Sequence, residues 1–197
     1  MDEFRVWFST GLLHILDLNG YDHILYVVVL TVLFSIRQWK QLLVLTSAFT
    51  IGHCLTLAIS TLNIIQIKQN IVEFLIPMTI LVTCLVNLME RLLPNFRNAE
   101  GVKNYYLNYS LAMLFGLVHG LGFSYLLKSM LGKEASVVFP LLWFNLGLEF
   151  GQFIIVVMML LFSVFLARFT KIQKHTEVIW VSLAAAGIAF ALLVQRI

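Results

Sequence analysis

Apolar runs of about 20 residues recur along the whole of this chain, and each is long enough to cross about 30 Å of hydrocarbon as a helix. Inside a bilayer every backbone amide needs a partner within the protein. Such runs can therefore form only helices or the strands of a closed barrel. Barrel strands alternate apolar and polar residues over about ten positions, and this sequence shows no such alternation. The chain is read as an all-α, polytopic transmembrane helical bundle. Composition agrees: 60% of its 197 residues are apolar and 12% are charged, against about 45–50% and about 25% in soluble domains. The mean hydropathy is +0.93.

Polar breaks between the runs delimit about six spanning helices, near 22–36, 41–62, 71–92, 105–127, 138–165 and 178–195. Ahead of them Phe4, Trp7, Phe8, Gly11, Leu12 and Ile15 recur at helical spacing. This makes an amphipathic helix that is too short and too polar to span. It is expected to lie in the membrane interface or dip partly into the protein, and to end at the turn Asp17-Leu18-Asn19-Gly20. Residues 1–20 are thus an interfacial segment, and 21–197 a helical bundle within one transmembrane domain. Asp2 and Glu3 stand where a signal peptide would carry basic residues. Cys54 and Cys84 lie within apolar helices and read as packing residues.

Orientation follows from Lys and Arg in the loops. Arg37, Lys40, Arg91, Arg97, Lys103, Arg168, Lys171 and Lys174 fall on one side, eight against five on the other. The positive-inside rule places both termini outside, on the extracytoplasmic side of the membrane. The net charge of +3 resides mostly in these loops, which argues against a nucleic-acid surface.

Against this background the stretch FGLVHGLGF, 115–123, stands out. His119 is an ionisable ring in an apolar run. A charged group at the bilayer centre costs about 2.5–3.5 kcal/mol, so such residues are functional candidates. Gly116, Gly120 and Gly122 beside it permit close approach of another helix. At 1.5 Å of rise per residue, His119 falls near the depth of His53 in FTIGHCLTL, where Gly52 precedes the histidine. It also falls near Asn145, Glu149 and Gln152 in FNLGLEFGQF. These three share one helix face through i, i+4 and i+7 spacing, with Gly147 and Gly151 interspersed. Asp22 and His23 open the first span at the outer surface. The polar residues thus share a zone from the bilayer centre to the outer surface, and the inner half of the helices is nearly free of them.

Each residue alone has a plainer reading. A single intramembrane histidine serves as an interhelical hydrogen-bonding group, Asp22 as a helix cap, and Thr46 and Thr50 as back-bonded residues. The convergence is what points to a site. Imidazole with carboxylate suits Ni, Co, Zn, Fe or Mn. His23, His53, His119, Asp22 and Glu149 are the candidate ligands. Asn145 and Gln152 are candidate partners for the outer ring nitrogens. His14, on the amphipathic helix, is placed outside them as a guard of the outer entrance or a plain interfacial residue.

The segments GYDHIL (20–25), FTIGHCLTL (49–57), FGLVHGLGF (115–123) and FNLGLEFGQ (144–152) occur in this order over about four of the six spans. Together they resemble the HupE/UreJ family of small membrane proteins. The resemblance implies a nickel or cobalt permease linked to hydrogenase or urease maturation. Its partners would be the lipid bilayer, the metal ion, and other membrane subunits or a second copy. Two other readings stay open. One is an intramembrane hydrolase in which histidines and a carboxylate hold zinc, with Glu149 as general base and Ser124 assisting. The other is a non-transporting metal-delivery subunit, for which Gly187 and Ala184 to Ala186 offer a small-residue packing face. No GxxxxGK[ST] motif occurs, so this chain does not itself hydrolyse ATP.

Overall fold

The computed structural model describes residues 3–93, 105–131, 137–170 and 172–196. The loop at 94–104 and the turn at 132–136 lie outside the described residues. Among the described residues all regular structure is helical: α1 (Glu3–Ile15), α2 (Asp22–Thr31), a 3-10 turn (Ile36–Gln38), α3 (Trp39–Thr61), α4 (Gln69–Leu92), α5 (Tyr105–Leu131), α6 (Val138–Phe169) and α7 (Lys174–Gln195). Five of these stretches are long and apolar enough to cross a membrane: Ile36–Thr61, Gln69–Leu92, Asn108–Leu131, Val138–Phe169 and Lys174–Gln195.

The expected first span is shorter than its apolar run. Helix α2 has 10 residues, about 15 Å at 1.5 Å per residue, half of what a crossing needs. The helix stops because a new start signal follows it. Ser35 N–H donates to Gln38 Oε1 at 3.2 Å, which completes a capping box and opens the 3-10 turn into α3. At the other end of α3, Asn63 takes a left-handed φ of 62°. Asparagine tolerates that conformation, which turns the chain out of the helix.

Glycine decides which helices touch. Between α3 and α5 the contact is backbone on backbone. An added Cβ at Gly52 would overlap the carbonyl of Met113, one at Gly116 the carbonyl of Phe49, and one at Gly120 the carbonyl of His53. Phe49 meets Gly116, His53 meets Gly120 and Ser60 bonds Ser124, so α3 and α5 run side by side in one direction.

The same device joins α1 to α6. A Cβ at Gly11 would overlap the carbonyl of Phe144, and one at Gly147 the carbonyl of Phe8. Gly151 admits the side chain of Ile15. Helix α1 therefore packs into the bundle, with Trp7, Gly11 and Ile15 buried. Of the two expected placements, interface or partial insertion into the protein, this contact corresponds to the second, and it rests on glycines more than 130 positions away in the sequence.

Helix α4 pairs with α7 and carries Pro77 in its interior. Proline has no N–H, so the carbonyl four residues earlier loses its helical donor. That carbonyl belongs to Glu73. Arg196, at the end of α7, fills the gap by donating to Glu73 O at 2.9 Å through Nη1. Its Nη2 donates to Asp22 Oδ2 at 2.9 Å. One guanidinium thus ties α7, α4 and the start of α2 together.

Two glycine substitutions separate packing from helix propensity. Gly116→Val forces the α3 and α5 backbones apart and should destabilise the bundle by about 1–3 kcal/mol. Gly187 has no atom within 4 Å of a built Cβ, so Gly187→Val should leave stability nearly unchanged. Thermal unfolding midpoints of the detergent-solubilised protein check both.

Candidate metal centre

Four helices each bring one imidazole to the same buried region. His14 is the penultimate residue of α1 and His23 the second residue of α2. His53 and His119 sit on the α3–α5 contact, each beside a glycine that lets the backbones meet. The ring centroids of His14 and His23 are 4.6 Å apart, those of His23 and His119 5.0 Å, and those of His23 and His53 6.0 Å. His14, His23 and His53 each offer a ring nitrogen within 4.8 Å of the others, a group that could hold a metal ion.

Aromatic rings wall the cluster. Phe123 and Phe144 stack at 4.8 Å on the α1 side, and Phe123 lies 4.0 Å from His14. Tyr26 and Phe49 close the other side, 5.1 Å and 5.3 Å from His119.

The hydrogen-bond inventory of the cluster is incomplete in a telling way. His14 Nε2, His23 Nε2, both nitrogens of His53 and His119 Nδ1 are buried without a partner. Buried polar groups in native proteins are nearly always paired, so an accumulation of orphans asks for an explanation. Asn145 faces His53, yet its Oδ1 is also unpaired; its Nδ2 donates to Leu141 O at 2.7 Å. His119 Nε2, by contrast, has a fixed partner and lies 3.1 Å from Thr79 Oγ1. A contact of this kind orients a ring and sets its tautomer.

Both carboxylates expected at the centre are elsewhere. Asp22 neighbours His23 in sequence, but its side chain turns to Arg196. It does not cap α2 either, since Tyr21 holds the N-cap position with no side-chain bond. Glu149 accepts a hydrogen bond from Ser47 at 2.8 Å. It lines a separate cavity with Phe8, Leu43, Thr46 and Phe150. Gln152 does reach the interior: its Oε1 accepts from Thr50 at 2.9 Å while Nε2 is unpaired. Ser124 is bonded to Ser60 and to the carbonyl of Leu121. A base positioned as Glu149 is here does not face the imidazoles, which removes the geometric support for metal-assisted hydrolysis by that residue.

Sequence reasoning undervalued His14 and passed over Tyr26 and Thr79. The usable signal for Thr79 was its spacing to Thr83 and Asn87 on one helix face. No local signal marked Tyr26.

An open cavity of about 630 Å³ reaches the cluster from outside. Its walls include Thr10, His14, Asp17, Asn19 and Phe123. His14 is thus the imidazole nearest that opening.

Bundle and cluster together define a polytopic membrane protein with imidazoles gathered in its core. The particular family follows from comparison: a family model described as HupE / UreJ protein matches residues 1–196. The chain belongs to the HupE/UreJ family. No curated protein and no solved structure matches it.

The geometry divides the candidate residues sharply. His53→Ala should lower the affinity of the purified protein for Ni²⁺ or Co²⁺ by about tenfold or more, because a ligand nitrogen is lost. Glu149→Gln should leave affinity unchanged within error. Calorimetric titration of each variant checks the division. Equal losses in both would place the carboxylate at the metal.

Proposed function

We propose that this protein is a permease for a divalent transition metal, with nickel and cobalt the first candidates, and that the cation passes through the cluster of His14, His23, His53 and His119. The observation that carries this reading is the set of five unpaired ring nitrogens buried together in a membrane bundle. Neutral imidazole is the common nitrogen ligand for these ions. Membership of the HupE/UreJ family points to the same class of cargo.

The chemistry of the donor set favours passage over storage. Three neutral imidazoles leave the charge of the cation uncompensated in a low-dielectric interior. Asp22 and Glu149 are committed to other partners, so no carboxylate of theirs adds to the hold of the imidazoles. Conduction requires a site attractive enough to enter and weak enough to leave. Asp17, in the outer cavity, supplies negative charge where a hydrated cation would arrive. Asn145 Oδ1 and Gln152 Nε2 are unpaired, an acceptor and a donor available to ring nitrogens.

In this reading the protein resides in a bacterial cytoplasmic membrane with both termini outside, which requires α2 and the segment 32–35 together to complete a sixth crossing. The outer cavity faces the extracytoplasmic side, and the loop bearing Arg37 and Lys40 faces inward. Protons compete with metal for imidazole, so pH tunes how tightly the cluster holds its ion.

The test is uptake of Ni²⁺ and Co²⁺ into proteoliposomes that enclose a metal-sensitive dye. The wild type should carry at least one of the two ions. His53→Ala and His119→Ala should each reduce the initial rate by about tenfold or more, the effect of losing roughly 1.4 kcal/mol of interaction. Normal rates in both variants would show that the cluster is not on the path.

A further inference from the structure

A second group of buried polar residues lies on the far side of the histidine cluster from the outer cavity. Thr79, Thr83 and Asn87 recur at every fourth position of α4 and are all buried. They line one face of the helix over about 12 Å, at 1.5 Å per residue. The row begins at the cluster, where Thr79 Oγ1 meets His119 Nε2 at 3.1 Å. Thr83 Oγ1 donates to Thr79 O at 2.8 Å, and Asn87 Nδ2 donates to Val29 O on α2 at 2.8 Å. One turn further, Arg91 approaches Leu33 O at 3.5 Å. The row therefore leads from the imidazoles towards the end of the bundle where α2 stops.

Tyr26 stands opposite this row. It is wholly buried, with its ring 5.1 Å from His119. Its hydroxyl faces Thr83 but has no hydrogen-bond partner. Tyr26, Thr83, Asn87 and Asn108 contribute the polar groups around a cavity of about 20 Å³, closed elsewhere by Leu30, Phe34 and other apolar residues. That is room for about one water molecule. Packing alone does not account for a tyrosine there, since phenylalanine would fill the same volume without burying an unpaired hydroxyl.

We propose that Tyr26, Thr83 and Asn87 form a second, oxygen-lined station on the permeation path, which receives the divalent cation after it leaves the histidine cluster. The inference rests on the permease reading above. Hydroxyl and amide oxygens are neutral, hard donors that replace water around a cation without trapping it. The size of the cavity excludes a fully hydrated ion, so the cation crosses this level with most of its water shed to protein ligands. The order of stations is then the outer cavity, the imidazoles, the oxygen-lined cavity and the end of the bundle near Leu33. A path of this kind places polar groups in the half of the bundle where a purely apolar barrier would stop a metal at the histidines.

The experiment uses the full chain reconstituted in proteoliposomes, with Ni²⁺ and Co²⁺ as probes. Tyr26→Phe and Thr83→Val keep side-chain volume and remove one hydroxyl each. Asn87→Leu removes the amide. Metal affinity is measured on the same preparations by titration, and the Co²⁺ absorption spectrum reports nitrogen ligation. Each variant should retain the wild-type spectrum and affinity and lose about tenfold in initial uptake rate, the effect expected when a polar contact is removed from a buried path. Wild-type uptake rates in Tyr26→Phe and Thr83→Val would overturn the second station while leaving the permease reading intact. Parallel loss of affinity and uptake would overturn it as well, because Tyr26 and Thr83 would then belong to the histidine cluster itself. A wild-type protein that binds metal and gives no uptake would overturn the permease reading, and the second station with it.

Discussion

Backbone contact between α3 and α5 is the constraint on which the rest of the structure depends. Lipid tails are as apolar as leucine, so helices in a bilayer associate through close packing and polar contacts rather than through a hydrophobic drive. Gly52, Gly116 and Gly120 leave out side-chain atoms that would overlap the facing backbone. The approach also carries His53 and His119 into one region, since each histidine is sequence neighbour to a glycine in the contact. The cluster is thus a consequence of helix packing. The α1–α6 contact repeats the device with Gly11 and Gly147, and brings His14 to the same place.

Once the helices are fixed, electrostatics assigns the remaining charges. Pro77 leaves the carbonyl of Glu73 without its helical donor, and Arg196 supplies one. A guanidinium held there at the bundle surface pairs with the carboxylate of Asp22. The pairing removes Asp22 from the neighbourhood of the imidazoles although it adjoins His23 in sequence. Glu149 is likewise held at Ser47 on a half-open face. The centre is left with neutral donors. In a medium of low dielectric, the number of carboxylates beside a cation governs how readily it escapes.

How much of this was legible in the sequence can be judged residue by residue. The helical class, the membrane setting and the meeting of His23, His53 and His119 were readable, because apolar run length, depth along a helix and flanking glycines are local quantities. The fates of Asp22 and Glu149 were not, because their partners lie 174 and 102 positions away. The periodicity of α1 was correctly helical, but an apolar stripe does not distinguish a lipid surface from a protein groove. Gly11 could have raised that question, since a small residue at the centre of such a stripe is a packing signal as well. The early end of α2 at Thr31 escaped notice because the apolar run continues through residues 32–34, and only the capping residues Ser35 and Gln38 mark the break.

The inner half of the bundle shows why threonine is easy to overlook in a membrane helix. A hydroxyl that bonds the carbonyl three or four residues earlier costs little, so Thr79 and Thr83 can pass for residues satisfied within their own helix. Both do make such bonds. Yet Thr79 also meets His119, and Thr83 also faces Tyr26. Back-bonding therefore makes a polar row affordable to the fold without using up all of its capacity. Each hydroxyl oxygen has two lone pairs beside its proton, and bonding its own helix occupies only the proton. A row at fourfold spacing can in this way serve helix stability and present acceptor oxygens to an ion at once, provided that a facing residue such as Tyr26 keeps a small space open beside it.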